Sequence, residues 1–291
     1  MLQDLGTDLV GIPIEDLDSI AANRRGSPIE TDMLQGNRVS VLIPCLNEAE
    51  NLPYVLPTIP TWVHEVVIID DHCTDDTVAV ARRIKPDVVV VANSRRPGKG
   101  NALRTGMEAA SGEILVQVDA DCSEDPAEMN AFVGALLAGA DYAKGTRFIE
   151  GGGTSDMPAL RRWGNWALTM LVRLLFRGTR FTDLCYGYNA YWARVAPILL
   201  DAEGFEIETV MNLRAVRAGL RISEVPSFEA ERIHGDGKLS TFPDGWRVLK
   251  AILRERRAST PLTVVPAVTR SFSPYVLATQ PHAQAGVTSH D

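Results

Sequence analysis

Short apolar runs alternate with amphipathic segments between residue 38 and about residue 139 of the chain. Four runs rich in Val, Ile and Leu have the length of buried β-strands, and a segment with helical periodicity follows each of them. The predicted strands are residues 38–44, 65–70, 87–92 and 113–120, and the predicted helices are residues 48–59, 74–84, 98–111 and 125–139. This alternation predicts an α/β fold, with a mostly parallel central sheet covered by helices on both faces.

Composition changes at both ends of this pattern. Residues 1–37 are mainly polar without a sustained period, and we interpret them as an N-terminal extension. Residues 257–291 are rich in Pro, Ser and Thr, which is typical of a flexible or loosely docked tail. Residues 38–256 are therefore expected to form a single domain.

The charge and cysteine content narrow the class of protein. A net charge of −8 disfavours nucleic acid and anionic membranes as general partners. The four cysteines form no C-x-x-C pair, which indicates a reduced, cytoplasmic setting. No run approaches the roughly 20 apolar residues of a membrane span, so we expect at most peripheral membrane contact.

Two aspartates follow the fourth predicted strand. In extended backbone Asp119 and Asp121 project from one face, so both side chains can approach one ligand. Mg²⁺ and Mn²⁺ prefer such hard oxygen ligands, and Mg²⁺ often uses one or two carboxylates together with substrate phosphates. The alternative is that Asp121 and Ser123 only cap the next helix.

Other polar groups are expected at the same edge of the sheet. Asp71 ends the second strand, where a carboxylate can accept hydrogen bonds from a base or a ribose. Lys99 and Arg104 lie around a glycine turn that leads into a helix, a favourable place for phosphate, although for this segment on its own we favour a solvated basic turn. The turn is not a P-loop, because Asn93 and Gly100 replace the required residues.

Seven segments carry a resemblance to a known family. They are VSVLIPCLNEAENL, VVIIDDHCTDDT, GKGNALRTG, VDADCS, KGTRF, TDLCYGYNAY and GFEIETVMNLRAVRAGLRISEVP. Together they resemble family 2 glycosyltransferases of the GT-A fold, nearest the soluble polyprenyl- and dolichol-phosphate sugar synthases. The resemblance covers residues 38–256 and implies a Rossmann-like catalytic domain. It also implies metal-dependent, inverting transfer of a sugar from a UDP- or GDP-linked donor to a polyprenyl phosphate or a soluble hydroxyl acceptor.

The resemblance also implies roles for individual residues. The acidic pair would be the family's D-x-D motif, with Asp119 nearer the ribose and Asp121 on a Mg²⁺ or Mn²⁺ ion. His234 would be a further metal candidate, and Lys238 would approach the diphosphate, although Gly237 replaces the family's serine beside it. The implied nucleotide-sugar residues are Pro44, Asn47, Glu48, Asp71, Lys99, Arg104, Asp119 and Ala120.

The transfer step needs a base or a positioning group near the acceptor. Glu208 occupies the position of the family's catalytic acid, where relatives carry Asp, and Glu206 shares its face in an extended backbone. Asp183 is the alternative base. The competing interpretations are an acidic first helical turn for the two glutamates and a loop cap for Asp183. Arg147, Arg161 and Arg162 match basic positions that meet a lipid phosphate, unless they are solvated surface arginines.

Residues 163–176 form an apolar helical segment with a narrow polar stripe. The stripe consists of Arg162, Asn165, Thr169, Arg173 and Arg177. The segment is too short to span a bilayer, but it can lie at a membrane interface. We favour packing into the core or into a homodimer interface instead.

Two other functions compete with the glycosyltransferase. The strand followed by D-x-D also resembles haloacid-dehalogenase-type phosphohydrolases, with Asp119 as nucleophile and Asp121 as acid/base. That family usually begins with this motif, whereas three strand–helix units precede it here. The third hypothesis is a non-catalytic nucleotide-sugar-binding protein.

Overall fold

The computed structural model describes residues 34–155, 157–235, 241–258 and 262. Residues 1–33 of the predicted N-terminal extension and most of the predicted tail lie outside the described residues. Lys238 also lies outside them, so its predicted contact with a diphosphate stays a prediction.

The structure is built on a central sheet of seven strands in the order β3-β2-β1-β4-β7-β5-β8. Its strands are β1 (Val39–Cys45), β2 (Glu65–Asp70), β3 (Val89–Ala92), β4 (Ile114–Gln117), β5 (Tyr142–Thr146), β7 (Asn189–Trp192) and β8 (Ile222–Pro226). Strand β7 runs antiparallel to β4 and β5, and the other neighbours are parallel. A small second sheet pairs β6 (Gly153–Thr154) with β9 (Phe228–Glu229). The prediction of a mostly parallel α/β fold is confirmed.

The helices connect these strands and cover both faces of the sheet. They are α1 (Leu52–Val55), α2 (Thr77–Ile84), α3 (Lys99–Ala109), α4 (Met129–Leu137), α5 (Ala159–Leu175), α6 (Ala196–Leu199), α7 (Ile207–Arg217) and α8 (Thr241–Arg257). The helix predicted over residues 48–59 is much shorter, because Pro57 lacks the N–H that would continue it and the chain turns into a 3₁₀ segment.

The apolar core lies on both faces of the sheet. On one face, Val41 and Ile43 of β1 pack with residues of α1, α2 and α4. On the other face, Leu42 packs with residues of α3, α6 and α7. A strand buried on both faces needs apolar residues at successive positions, which explains the unbroken apolar runs in the sequence.

The strand order places the functional loops at one edge. Strand β1 lies between β2 and β4. The chain therefore continues to one side of β1 through β2 and β3, and to the other side through β4. In open α/β sheets ligands bind at such a switch point, outside the carboxyl ends of the strands. Because β7 is antiparallel, the segment that precedes it reaches the same edge as the segments that follow β1, β2, β4 and β5.

Helix α5 turns the middle of its polar stripe, Asn165 and Thr169, toward the protein, whereas the arginines of the stripe are exposed. Asn165, Thr169 and Val172 are buried, whereas Trp163 and Trp166 are exposed. A third apolar cluster joins the inner side of α5 to α8. No helix within the described residues combines the length and apolar character needed to cross a membrane.

Candidate active site

A cavity of about 440 Å³ opens at the carboxyl edge of the sheet, between the loops and helices α5, α7 and α8. This volume is in the range of small-molecule binding sites. The cavity wall contains ten of the residues predicted to bind the donor, the metal or the acceptor or to act as base: Pro44, Glu48, Asp71, Lys99, Asp119, Ala120, Asp121, Arg147, Arg161 and Glu208.

Lys99 lies between two carboxylates in this wall. Its Nζ atom is 2.6 Å from Oδ1 of Asp119 and 2.8 Å from Oε1 of Glu208. Burial lowers the pKa of Lys99, but Asp119 and Glu208 raise it by more, so the ammonium group stays charged. Burial, assisted by the charge of Asp119, raises the pKa of Glu208 above its usual value, although Lys99 acts in the opposite direction. Lys99, the first residue of α3, thus connects Asp119 in the loop after β4 with Glu208 in the first turn of α7.

Two residues that the sequence pattern did not single out complete this cluster. Glu124 is buried, and its Oε2 accepts a hydrogen bond of 2.9 Å from the backbone N–H of Asp119. Burial, and then the charge of Asp119, raise the pKa of Glu124 well above its usual value. Gly187 approaches the cluster so closely that a Cβ atom there would lie 2.8 Å from both Asp119 Oδ2 and Lys99 Nζ. A side chain at position 187 would therefore displace the ion pair.

The two aspartates of the acidic pair do not share one extended face. Strand β4 ends at Gln117, and the chain turns before Cys122, whose φ is 66°. Asp119 faces Lys99, whereas Asp121 is 3.1 Å from Nη2 of Arg232. Each carboxylate is therefore neutralised by its own cation, and both line the same cavity.

Asp121 makes the local turn contact that the sequence allowed for, and its other oxygen faces the cavity side. Its Oδ1 accepts hydrogen bonds from the backbone N–H and the hydroxyl of Ser123, at 3.1 and 2.7 Å. This is a local turn contact of the kind expected for a cap. Its Oδ2 faces Arg232, which lies two positions before His234 and which the sequence pattern did not single out. Arg232 also lines the cavity.

Asp71 orders the glycine turn beside the cavity. Its two oxygens accept hydrogen bonds from Nδ2 of Asn93 and from the backbone N–H of Gly98, at 2.6 and 2.9 Å. Gly98 has a φ of 150°, and a Cβ atom there would overlap the carbonyl oxygen of Glu203. The turn is therefore specific to glycine, and Asp71 holds it next to the carboxyl end of β2.

Several residues predicted to bind the donor or the acceptor do not line the cavity. Asn47 turns toward the next loop, where its Oδ1 accepts a hydrogen bond of 2.7 Å from the backbone N–H of Thr74. Arg104 points away and lies 3.0 Å from Asp201. Arg162 is exposed on the outer side of α5. We therefore propose no direct ligand contact for these three residues.

Glu206 and His234 also stay outside the cavity wall. Glu206 precedes α7 and accepts a long hydrogen bond of 3.4 Å from the backbone N–H of Gly204. The ring of His234 packs 5.6 Å from that of Tyr54, and its backbone N–H donates to Asn51. Because α7 begins at Ile207, Glu206 and Glu208 do not share an extended face. Neither Glu206 nor His234 is placed to act in this cavity.

Asp183 is the partner of Arg147 rather than a free base. Nε and Nη2 of Arg147 lie 2.7 and 3.0 Å from the two oxygens of Asp183, which is fully buried. Glu229 contacts the same guanidinium at 2.9 Å. Burial raises the pKa of Asp183, but Arg147 and then Lys144 lower it by more, so this carboxylate is ionised. Asp183 does not line the cavity, whereas Arg147 does.

The carboxylates of the wall suit a divalent ion only in part. Among the described residues no three His, Cys, Asp or Glu side chains are grouped closely enough to hold a metal by themselves. A Mg²⁺ site that uses one or two carboxylates and completes its shell with substrate phosphates does not need such a group. Asp121 and Asp119 supply oxygen ligands of the right kind on the cavity wall.

Comparison with known proteins identifies the family. Residues 40–196 match the family model described as glycosyl transferase family 2. The chain belongs to this family. It is 34% identical to the undecaprenyl-phosphate mannosyltransferase of Micrococcus luteus over 216 residues, which cover 70% of this chain and 88% of that protein. It is 31% identical to the polyprenol monophosphomannose synthase of Mycolicibacterium smegmatis, over 70% of this chain and 81% of that protein.

A solved structure supports the fold assignment. The glucosyl-3-phosphoglycerate synthase of Mycobacterium tuberculosis, in complex with Mn²⁺, UDP and phosphoglyceric acid, superposes with a TM-score of 0.63. The two are 23% identical, and the match covers 84% of each chain. The predicted family and GT-A-like fold are thus confirmed. The protein is a family 2 glycosyltransferase, which decides against the phosphohydrolase and the non-catalytic binding protein.

Replacing Asp183 by Asn tests the buried ion pair of this glycosyltransferase. We expect D183N to lower the free energy of unfolding by about 3 kcal/mol, because the buried Arg147 loses its ionic partner. The folded-state pKa of Asp183 is depressed, so its contribution is complete above the unfolded value of about 4 and is lost as the pH falls through the folded value. Urea unfolding at neutral and acidic pH measures both effects.

The matched control is D87N, which changes an exposed aspartate paired with Lys85. We expect D87N to leave the stability nearly unchanged. Equal effects of the two substitutions, or a D183N effect that grows in acid, would contradict the assigned role.

Proposed function

We propose that the protein transfers a hexose from a nucleotide sugar to a polyprenyl phosphate, with the help of Mg²⁺ or Mn²⁺. The main support is the cavity, whose wall holds the carboxylates Asp119 and Asp121 together with the cations Lys99, Arg147 and Arg232. A diphosphate and an acceptor phosphate both need cations around them, and a carboxylate-bound metal ion is one of these. The names of the two mannosyl-transferring relatives make mannose the first sugar to test.

The donor would bind along the carboxyl edge of the sheet. Pro44 and Glu48 follow β1, and Asp71 follows β2, so these wall residues lie where the nucleotide half of a ligand binds in open α/β sheets. Each carboxylate oxygen has a second lone pair, so Asp71 could also accept a hydrogen bond from a base or from a ribose hydroxyl. The proposed donor is a UDP- or GDP-linked hexose, since these wall residues are compatible with either base.

Asp121, with Asp119 beside it, would hold the divalent ion. When bound, the ion would neutralise the donor diphosphate and ease departure of the nucleotide. Lys99 and Arg232 are held beside these two carboxylates before any ligand arrives. Their charges are therefore already positioned for a diphosphate.

Glu208 is the wall residue that we assign to the reacting end of the acceptor. Lys99 fixes its carboxylate at 2.8 Å, and α7 supplies a rigid support. A polyprenyl phosphate is already ionised and needs little deprotonation, so Glu208 would mainly orient it and accept a remaining proton. Arg147 and Arg161, also on the wall, would bind the acceptor phosphate.

Nucleotide release measures the proposed reaction directly. Purified protein is incubated with GDP-mannose or a UDP-hexose and Mn²⁺, with and without a short-chain polyprenyl phosphate. We expect the acceptor to accelerate nucleotide release and to appear as a glycosylated lipid phosphate by mass spectrometry. Release that ignores the lipid phosphate but responds to a soluble hydroxyl acceptor would overturn the acceptor assignment.

Replacing Asp121 by Asn tests the metal assignment. We expect D121N to lower kcat/KM by at least about a hundredfold, because a metal ion at the diphosphate contributes several kcal/mol. Donor binding should also lose its dependence on Mn²⁺ in titration calorimetry. The control is D201N, which changes an ion-paired aspartate that does not line the cavity. Metal-dependent donor binding retained in D121N would refute the assignment.

Replacing Glu208 by Gln tests the role at the acceptor. We expect E208Q to reduce kcat by about a hundredfold and to leave the donor Kd within a few fold, as for a group that acts mainly in the transition state. E206Q is the matched control, because Glu206 is two residues away and does not line the cavity. If E208Q abolishes donor binding instead, the residue only supports Lys99.

Replacing Arg232 by Gln tests whether its ion pair competes with the metal. Asp121 must exchange a guanidinium for the ion, so R232Q should bind Mn²⁺ about tenfold more tightly in the absence of nucleotide. R104Q is the control, since its ion pair with Asp201 lies away from the cavity. Unchanged or weaker Mn²⁺ affinity in R232Q, measured by calorimetry, would rule out this competition.

A further inference from the structure

The outward side of α5 exposes large apolar side chains. Leu160, Trp163, the half-buried Met170 and Leu174 lie on one side of the helix, at spacings of three, seven and four residues, and Trp166 lies next to them. The exposed fractions of Trp163, Trp166 and Leu174 are 65%, 56% and 77%. Soluble proteins rarely expose such a cluster unless it contacts a partner or a membrane.

Helix α8 packs against α5 and exposes basic side chains. Val248 and Ile252 of α8 share an apolar cluster with Val172 and Phe176. The outer side of α8 also carries Trp246 and Leu253, both exposed. Its exposed basic residues are Arg247, Lys250, Arg254, Arg256 and Arg257.

The two helices expose no acidic side chain among the described residues. Helix α5 contains no Asp or Glu, and its exposed charges are Arg162 and Arg173. The acidic residues of α8, Asp244 and Glu255, are both buried. This concentration of positive charge lies on a chain whose net charge is −8, so it is a local feature and not a property of the whole surface.

This surface adjoins the cavity. Gly164 and Leu168 of α5 and Gly245 of α8 line the cavity wall. Trp163 precedes Gly164 in the chain, and Trp246 follows Gly245, so tryptophans from both helices lie beside wall residues. A ligand with an apolar tail would meet these side chains next to the cavity.

We propose that the outward sides of α5 and α8, here called the α5–α8 face, dock on the surface of an anionic phospholipid bilayer. The tryptophans beside the cavity enter the interfacial region of the bilayer, and the arginines and the lysine of the face contact the lipid phosphates. The docked enzyme would receive the phosphate of its lipid acceptor directly from the bilayer, a consequence that rests on the proposed function. The docking itself does not depend on it.

Charge argues against a second copy of the chain on this face. A two-fold dimer brings the same patch of each subunit together, so the basic side chains of α8 would face their equivalents. An acidic protein would satisfy the charges, but it would not explain why the tryptophans adjoin the cavity of an enzyme whose relatives are named for lipid phosphates. An anionic bilayer accounts for both features.

Vesicle co-sedimentation of the full chain tests the proposal without sugar, metal or acceptor. The probes are vesicles of phosphatidylcholine alone and vesicles of phosphatidylcholine and phosphatidylglycerol in equal parts. We expect binding to the anionic vesicles that weakens as salt is raised, and little binding to the neutral ones. Because no substrate is present, failure of docking and failure of the proposed function are distinguishable.

Two double variants locate the contact. Lys250 and Arg257, neither of which lines the cavity, are both changed to Ala, and binding to anionic vesicles should weaken about twenty-fivefold, at about fivefold for each charge. Trp163 and Trp166 are changed to Ala in the second variant, which should bind at least about tenfold more weakly. The control changes Arg82 and Arg83, exposed on α2 at the opposite face of the sheet, and removes the same net charge.

Three outcomes would overturn the proposal. The first is the absence of binding to anionic vesicles at low salt. The second is equal binding by the control and by both double variants, which would place the contact elsewhere. The third is a dimer in analytical ultracentrifugation that the Trp163 and Trp166 changes convert to monomers, since a second copy would then cover the face. Circular dichroism of each variant verifies that the fold is retained.

Discussion

The arrangement of this protein depends on the neutralisation of carboxylates that lie at the edge of a sheet. Asp119 and Glu208 come from segments almost 90 residues apart, and both contact Lys99, which is itself nearly buried. An unpaired charge in such a place costs several kcal/mol, so the loop after β4, the start of α3 and the start of α7 are stable only together. The geometry of the cavity wall follows from this mutual dependence.

A second buried ion pair, between Arg147 and Asp183, also joins segments that are distant in sequence. Arg147 follows β5, Asp183 lies in the segment before β7, and Glu229 belongs to β9. The three side chains bring together the ends of strands that are distant in sequence. Arg147 also contacts the ring of Tyr186 at 4.7 Å, which keeps the guanidinium plane fixed against the wall. The cations that would bind phosphate are thus held by carboxylates before any ligand is present.

The two helices at the open side of the cavity connect this chemistry to the surroundings of the protein. Helices α5 and α8 both contribute residues to the wall, and both expose aromatic and basic side chains on their outer sides. Helix α5 has this orientation because Asn165 donates to the buried Asp183, at 3.0 Å. Asn165 and Thr169 are therefore hydrogen-bonded inside the protein, and the apolar side of the helix that carries Trp163 and Leu174 remains outside. An ion pair of the active site thus helps to set the character of the outer surface.

The sequence by itself determined the α/β architecture, the family, and the edge at which polar groups gather. These features follow from local patterns: continuous apolar runs for strands buried on both faces, glycine where the backbone requires it, and acids directly after strands. Ten of the residues predicted from these patterns and from the family resemblance line one cavity. The sequence also located Lys99, because a basic residue at a helix start is visible without any knowledge of its partners.

Only the tertiary structure decided which charges pair and which way side chains point. The acidic pair was expected on one extended face, but the chain turns after Gln117, and Asp119 and Asp121 meet different cations from distant segments. Arg104 and Asp183 carry charges as suitable for a site as those of Lys99 and Glu208, yet they are held outside the wall by partners nearly 100 and 36 residues away. Pairing across such separations depends on how the sheet is ordered and how the helices pack, and no local pattern encodes that order.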